Sequence, residues 1–136
     1  MKKLLIIPML IVCFVSYSQT KEINKKLTPV NSASIIGKSI RIGSLEVAQN
    51  DFPDLMKWDD AKKSCAALGS GWRLPTKQEL NTLYKNKDKI DGFALYLYWS
   101  SEDYMEILAW YHNFAHDIQA VEYKFNTYSV RAVRTF

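Results

Sequence analysis

Cysteine is nearly absent from the chain, which has 136 residues and only 2 Cys. That excludes a disulfide scaffold and a cysteine-rich zinc site. Glycine and proline are also sparse, at 5 and 4 residues, so a collagen-like or low-complexity chain is excluded. Histidine occurs only at positions 112 and 116. Neither charge dominates: the formal net charge is +4. The length suits one domain.

The longest apolar run, Leu4 to Val15, is too short to span a bilayer comfortably. It follows Lys2-Lys3 and precedes Ser16-Tyr17-Ser18. A positive start, a short apolar stretch and small residues at the −3 and −1 positions describe a secretory signal peptide, residues 1–18, cut before Gln19. Removal would lower the net charge to +2, counting Lys and Arg against Asp and Glu. Nucleic-acid binding by bulk charge then has no basis. It would also remove Cys13 and leave Cys65 as the sole thiol. The expected product is extracytoplasmic: secreted, periplasmic or held at the surface, with no stable membrane span. Residues 19–36 are polar and without period, which predicts a flexible lead-in. The domain is then expected over 37–136.

What is abundant comes next. Lys38 to Ile42 alternates as a strand, Gly43-Ser44 breaks it, and Leu45 to Ala48 continues as a hairpin partner. Trp58, Ala61, Cys65 and Leu68 share one helical face, with Gly69 as the stop. Cys65 therefore reads as a small buried hydrophobe. Pro75 holds Leu74 extended, and Thr76 with Glu79 forms a capping box. The helix it opens turns Leu80, Leu83 and Tyr84 inward and fades near Asn86. From Phe93 to the end, 12 of 44 residues are aromatic. Strands are expected over about 108–114, 119–125 and 128–134. The order of strands, two helices and a meander defines an α+β fold.

The ordered set Trp58…Ala61…Cys65…Leu68, Trp72-Arg73-Leu74-Pro75-Thr76…Glu79-Leu80, Trp99-Ser100-Ser101-Glu102, Ala109-Trp110…Phe114 and Val130-Arg131-Ala132-Val133-Arg134 resembles the Legionella collagen-like protein C-terminal domain family. That family is similar in plan to the C-type lectin-like fold. The resemblance covers about residues 37–136. It implies two helices packed on irregular antiparallel sheets, ligand or polysaccharide binding and adhesion in some members, and no established activity in most. The fold hosts unrelated functions, so the site must decide.

Sugar-binding members of the broader fold use Glu-Pro-Asn or Gln-Pro-Asp followed by Trp-Asn-Asp, and this chain has neither. Asn50, Asp51 and Asp54 offer oxygens, but calcium needs a converging shell of six to eight; a solvated turn is expected. His112 and His116 sit in a strand and turn, where four residues span roughly 13 Å. They read as surface or rim histidines, and no metal site is expected. Formylglycine-type oxidation lacks its thiols after Cys65. A Ser100-His112-Asp117 hydrolase lacks a nucleophile elbow.

The expected ligand contacts are Tyr96, Tyr98, Tyr104 and Tyr111, which combine contact area with a polar tip. Glu102 and Asn113 stand beside them. By strand parity Trp110 and Phe114 are core, whereas Tyr111 and Asn113 face out. Trp99, Ser100 and Ser101 form either a binding edge or, in the simpler reading, a core residue with two serines tying loop backbone. Arg73, Arg131 and Arg134 suit acidic sugars or, more simply, internal ion pairs with Glu79 or Glu102. No cofactor is implied. The resulting expectation is an exported, non-catalytic domain that reads a glycan or other surface ligand through a loop-rich face over 95–128. The alternatives are an assembly module that binds a protein partner, and an enzyme of unknown chemistry.

Overall fold

The computed structural model describes residues 30–136. The expected signal peptide and most of the lead-in lie outside them. The lead-in's end is ordered, contrary to expectation. Helix α1 (Ser32–Ile36) is capped by Asn31, whose Oδ1 accepts from the Ala33 amide at 3.1 Å. Ile35 is buried in the core, and the Ile35 and Ile36 carbonyls accept from the Asn50 and Gln49 amides. A single Ile-Ile pair shows no period, which is why the segment reads as a tether.

Strands β1 (Ile40–Ile42) and β2 (Leu45–Val47) form the expected hairpin, and β6 (Val133–Thr135) adds to β2, giving the order β1-β2-β6. Helix α2 (Trp58–Ala66) buries Trp58, Ala61 and Cys65. Asp59 and Asp60 lie in its first turn, where the helix dipole favours negative charge. No side chain caps it; the Trp58 amide donates to the Lys124 carbonyl at 3.0 Å instead.

Helix α3 (Lys77–Lys85) has the expected capping box. Thr76 Oγ1 accepts from the Glu79 amide, and Glu79 Oε2 accepts from the Thr76 amide at 2.7 Å. Glu102 accepts from the Lys77 amide at 2.7 Å, so another free amide of the first turn is satisfied. A short α4 (Lys87–Ile90) follows and seats Ile90 in the core.

The second sheet is antiparallel in the order β3-β4-β5: β3 (Leu97–Met105), β4 (Leu108–Asn113) and β5 (Ile118–Tyr123). Strands β4 and β5 fall close to the expected ranges, whereas β3 lies in a stretch for which no strand is expected. Its register slips between Trp99 and Asp103 and again before Met105. The 128–134 stretch is largely not a strand. It makes isolated bridges from Tyr128 to Met56, from Ser129 to Tyr98 of β3 and from Val133 to Arg73.

Two cores flank the second sheet. Trp99 and Ala109 join Trp58, Ala61 and Cys65; Tyr98 and Phe114 join Leu80 and Leu83. Consecutive residues Tyr98 and Trp99 thus point to opposite cores, and both faces are covered there. Burial pushes the Cys65 thiol up to about 12, which makes it inert at neutral pH.

Candidate functional site

The three arginines form ion pairs within the domain, and of the three only Arg131 is buried. Arg73 grips Glu79 with two bonds of 2.7 and 2.8 Å. Burial alone would raise the Glu79 carboxyl, but Arg73 and Thr76 bring it below its ordinary value. Arg134 Nε meets Glu46 Oε2 at 2.6 Å, and that bond, with one from Ser39, holds Glu46 low. Arg131 is fully buried and meets Asp51 Oδ1 at 2.6 Å. It also donates to the Ala48 carbonyl and, at 2.8 Å, to the Gly92 carbonyl. Arg131 and Arg134 take Asp51 and Glu46 as partners, and not Glu79 or Glu102 as the sequence suggests. Asp51 is therefore a structural anchor and not a residue of a solvated turn.

Several expected ligand residues are committed elsewhere. Tyr98 has no exposed surface; its hydroxyl donates to Asp51 Oδ2 at 2.6 Å and accepts from the Ala94 amide. Burial, with the Asp51 carboxylate adding to it, keeps that phenol protonated. Asn113 Oδ1 accepts from the Ala115 amide and shapes the β4–β5 turn. Ser100 Oγ accepts from the Glu102 amide, its carbonyl accepts from the Trp58 indole, and the Ser101 amide donates to the Pro75 carbonyl. Trp99 is core, as the simpler reading held.

Strand parity also needs correction. Tyr111 faces the α2-side core and packs on Tyr128, with ring centroids 5.8 Å apart. Trp110 is half-exposed on the opposite face, with Lys77 Nζ 3.3 Å from its ring centre. His112 is buried and is not a rim residue: its Nε2 lies 2.9 Å from Asp117 and its Nδ1 lies 3.3 Å from the Gln119 amide nitrogen. Both nitrogens are occupied and neither contacts Ser100, so the paper triad is not assembled. Among the described residues no group of His, Cys, Asp or Glu is placed to hold a metal ion.

Burial pulls the His112 imidazole below its ordinary value of 6.5, against the pull of Asp117. The unfolded chain therefore takes up this proton first, and acid favours unfolding. The stability is fully present above about 6.5 and is lost as pH falls below that value toward the folded one. Urea midpoints measured on either side of that value should differ in the wild type. The difference should shrink in His112→Gln.

Two exposed features remain. On the α3 side of the sheet, Tyr84 near the helix end covers His112 and Phe114, and Lys77 at the helix start lies over Trp110. Trp110 lies opposite Val121 and Leu108 opposite Tyr123, and Tyr104 meets Trp110 edge-on at 5.7 Å. Tyr123 and Phe125 stack at 5.0 Å. Tyr104, Met105, Ile107, Tyr123 and Phe125 are all exposed, Phe125 at 62%. On the other side, Tyr96 and Tyr111 converge on Tyr128. Burial raises the Tyr128 phenol, as do Glu122 and the neighbouring Tyr111 and Tyr96. Of the six expected ligand residues, Tyr104 belongs to the first feature and Tyr96 and Tyr111 to the second. Trp110, Tyr123, Phe125 and Tyr128 are not among the expected ligand residues; Tyr123 and Phe125 alternate with Glu122 and Lys124, a signal that could have placed those two on one face.

Two small antiparallel sheets, the helices α2 and α3 beside them, and a last strand that returns to the first hairpin make this a C-type lectin-like α+β domain. The chain belongs to the Lcl C-terminal domain family, whose model matches residues 16–134. It is similar in fold to a chain of the complex between a mutant von Willebrand factor A1 domain and botrocetin, at 12% identity and a TM-score of 0.53 over 74% of this chain and 98% of that one. It is likewise similar to EMS16, an antagonist of the collagen receptor integrin alpha2beta1, at 12% identity and a TM-score of 0.55 over 72% and 97%. No curated protein matches the chain.

Proposed function

We propose that this chain is an exported, non-catalytic recognition domain that binds a protein ligand on the α3-side face of the β3-β4-β5 sheet. The observation that carries this reading is the exposure of Tyr104, Met105, Ile107, Tyr123 and Phe125 together around one end of the sheet. Contiguous apolar exposure of this kind marks interaction surfaces. Met and aromatic side chains are the types enriched at protein interfaces. The structural neighbours, solved with or named for protein targets, agree with this choice. The groups that chemistry would need are spent: His112 on Asp117 and Gln119, Ser100 on backbone, and Cys65 on the core. Affinity capture from a surface-protein extract should recover a specific protein. Tyr104→Ala or Phe125→Ala should weaken its binding by about tenfold or more, the size expected of a central aromatic contact. Binding unchanged by both substitutions would refute the site.

A second reading, glycan recognition, is favoured by the Tyr96–Tyr111–Tyr128 group, where phenol tips gather near Glu122. Aromatic faces and polar tips together suit a sugar. Saturable binding on a glycan array, lost in Tyr111→Ala and kept in Tyr104→Ala, would select it.

Export rests on the leader pattern of residues 1–18. Among the described residues no helix is long and apolar enough to cross a membrane. N-terminal sequencing of protein recovered outside the cytoplasm should begin at Gln19, and Leu10→Arg should hold the chain inside.

A further inference from the structure

The second sheet ends in a long unpaired edge. Among the described residues β5 has β4 on one side and no strand on the other. The other edges are protected. Strand β1 spans only three residues. The outer side of β3 is occupied, because Trp99 and Leu97 bond Ser129 and the Ser101 amide bonds Pro75. Proteins usually blunt an exposed edge with proline, inward charge or brevity; Ile118–Tyr123 has six residues, no proline and a single charge, Glu122.

The hydrogen-bond phase of this edge follows from the register. The Lys124 amide donates to the Ile107 carbonyl, and Leu108 lies opposite Tyr123. Alternation along the antiparallel pair then turns the amides and carbonyls of Gln119, Val121 and Tyr123 away from β4. Tyr123 bears this out: its amide donates to the adjacent Glu122 carboxylate at 3.0 Å and its carbonyl accepts from the Asn126 amide at 3.0 Å, neither reaching β4, so the outward groups left to a second strand are those of Gln119 and Val121.

We propose that two copies of this chain pair antiparallel through β5, about a two-fold axis at Val121. Such an axis, perpendicular to the sheet, superposes like faces and passes midway between one residue and the same residue of the second copy. Centred on Val121, it sets Val121 against Val121, Gln119 against Tyr123 and Ala120 against Glu122 of the second copy. No like charges meet; an axis at Glu122 would oppose two carboxylates. Trp110 already lies opposite Val121 within one copy. The pairing therefore extends one apolar row across six strands, Trp110–Val121–Val121–Trp110, with Tyr104 edge-on to Trp110 at each end. It also sets both α3-side faces on the same side of the dimer, so that a ligand array would meet them bivalently.

Sedimentation velocity of the purified chain over a concentration series should show exchange between the mass of one copy and twice that mass. Val121→Lys sets two cations face to face and should leave only the single-copy mass, with an unchanged circular-dichroism spectrum. If that variant fails to fold, a second test decides. In a Cys13→Ser background, with Cys65 buried, Val121→Cys should cross-link to a dimer with a short bis-maleimide, and Ile118→Cys should not. A single-copy mass at all concentrations, or equal cross-linking at the two positions, overturns the pairing. Neither test involves Tyr104, so loss of the dimer and loss of the ligand face are separable.

Discussion

Arg131→Ala is expected to destabilise the domain by about 3–5 kcal/mol, the cost of breaking a buried ion pair by removing one partner. A small domain has a total stability of only about 5–15 kcal/mol, so the variant should be close to unfolded at physiological temperature. The reason lies in how many segments one side chain joins. Its guanidinium binds the Asp51 carboxylate, the Ala48 carbonyl and the Gly92 carbonyl, and it lies over the Phe93 ring at 4.1 Å. Asp91 and Gly92 both adopt positive φ in the turn that offers the Gly92 carbonyl and, at 3.4 Å, the Asp91 carbonyl. Gly92 permits this without strain, whereas Asp91 holds it against its preference. Deleting the guanidinium leaves Asp51 charged in a site that resists charge and frees a strained turn. Arg131→Met combined with Asp51→Asn should cost much less than the sum of the two single changes, because neither partner is then left ionised. Urea denaturation of the four proteins in the cycle measures this. Additive losses would show that the pair is not the origin of the effect.

Trp99→Ala should lose about 3–5 kcal/mol, the range for deleting a large buried aromatic. Trp99 and Trp58 form a reciprocal clamp. The Trp99 indole donates to the Met56 carbonyl at 2.8 Å, while the Trp58 indole donates to the Ser100 carbonyl at 2.8 Å. Each ring thus ties the start of α2 to β3 from its own side. Trp99→Phe retains most of the packing and removes the bond, leaving a carbonyl without its donor, so it should lose only about 1–3 kcal/mol. Thermal or urea unfolding of the two variants separates packing from the hydrogen bond. Equal losses would mean that the bond, not the volume, holds the clamp.

The helices were the legible part of the fold. Trp58, Ala61, Cys65 and Leu68 keep a helical period because only one side of α2 is buried, and the capping box of α3 is local chemistry that needs no tertiary context. Strand β3 was illegible for the opposite reason. Tyr98 and Trp99 are both buried, on opposite faces, so the alternation that marks a strand vanishes, and the register slips after Trp99 then break any parity count. The same double coverage reversed the facing of Tyr111 and Trp110. At the candidate site, Tyr104 was legible as an exposed aromatic, but its neighbours were not: that Trp110 emerges beside it depends on where α3 begins across the sheet. Arg131 sits in the apolar run Val130–Val133, and nothing within that run names Asp51, 80 positions earlier, as its partner.

That distance has a consequence for timing. Val130, Ala132 and Val133 have no exposed surface, and β6 closes the first sheet by pairing with β2, with Arg134 bonded to Glu46 across 88 positions. Synthesis delivers this segment after the rest of the described domain, at roughly 5–20 residues per second. The domain therefore cannot close before residues 130–135 have been made. Its α2 and α3 segments must wait, uncompleted, until these residues arrive. A nascent chain interrupted before Val130 lacks three fully buried core residues and the strand that completes the first sheet.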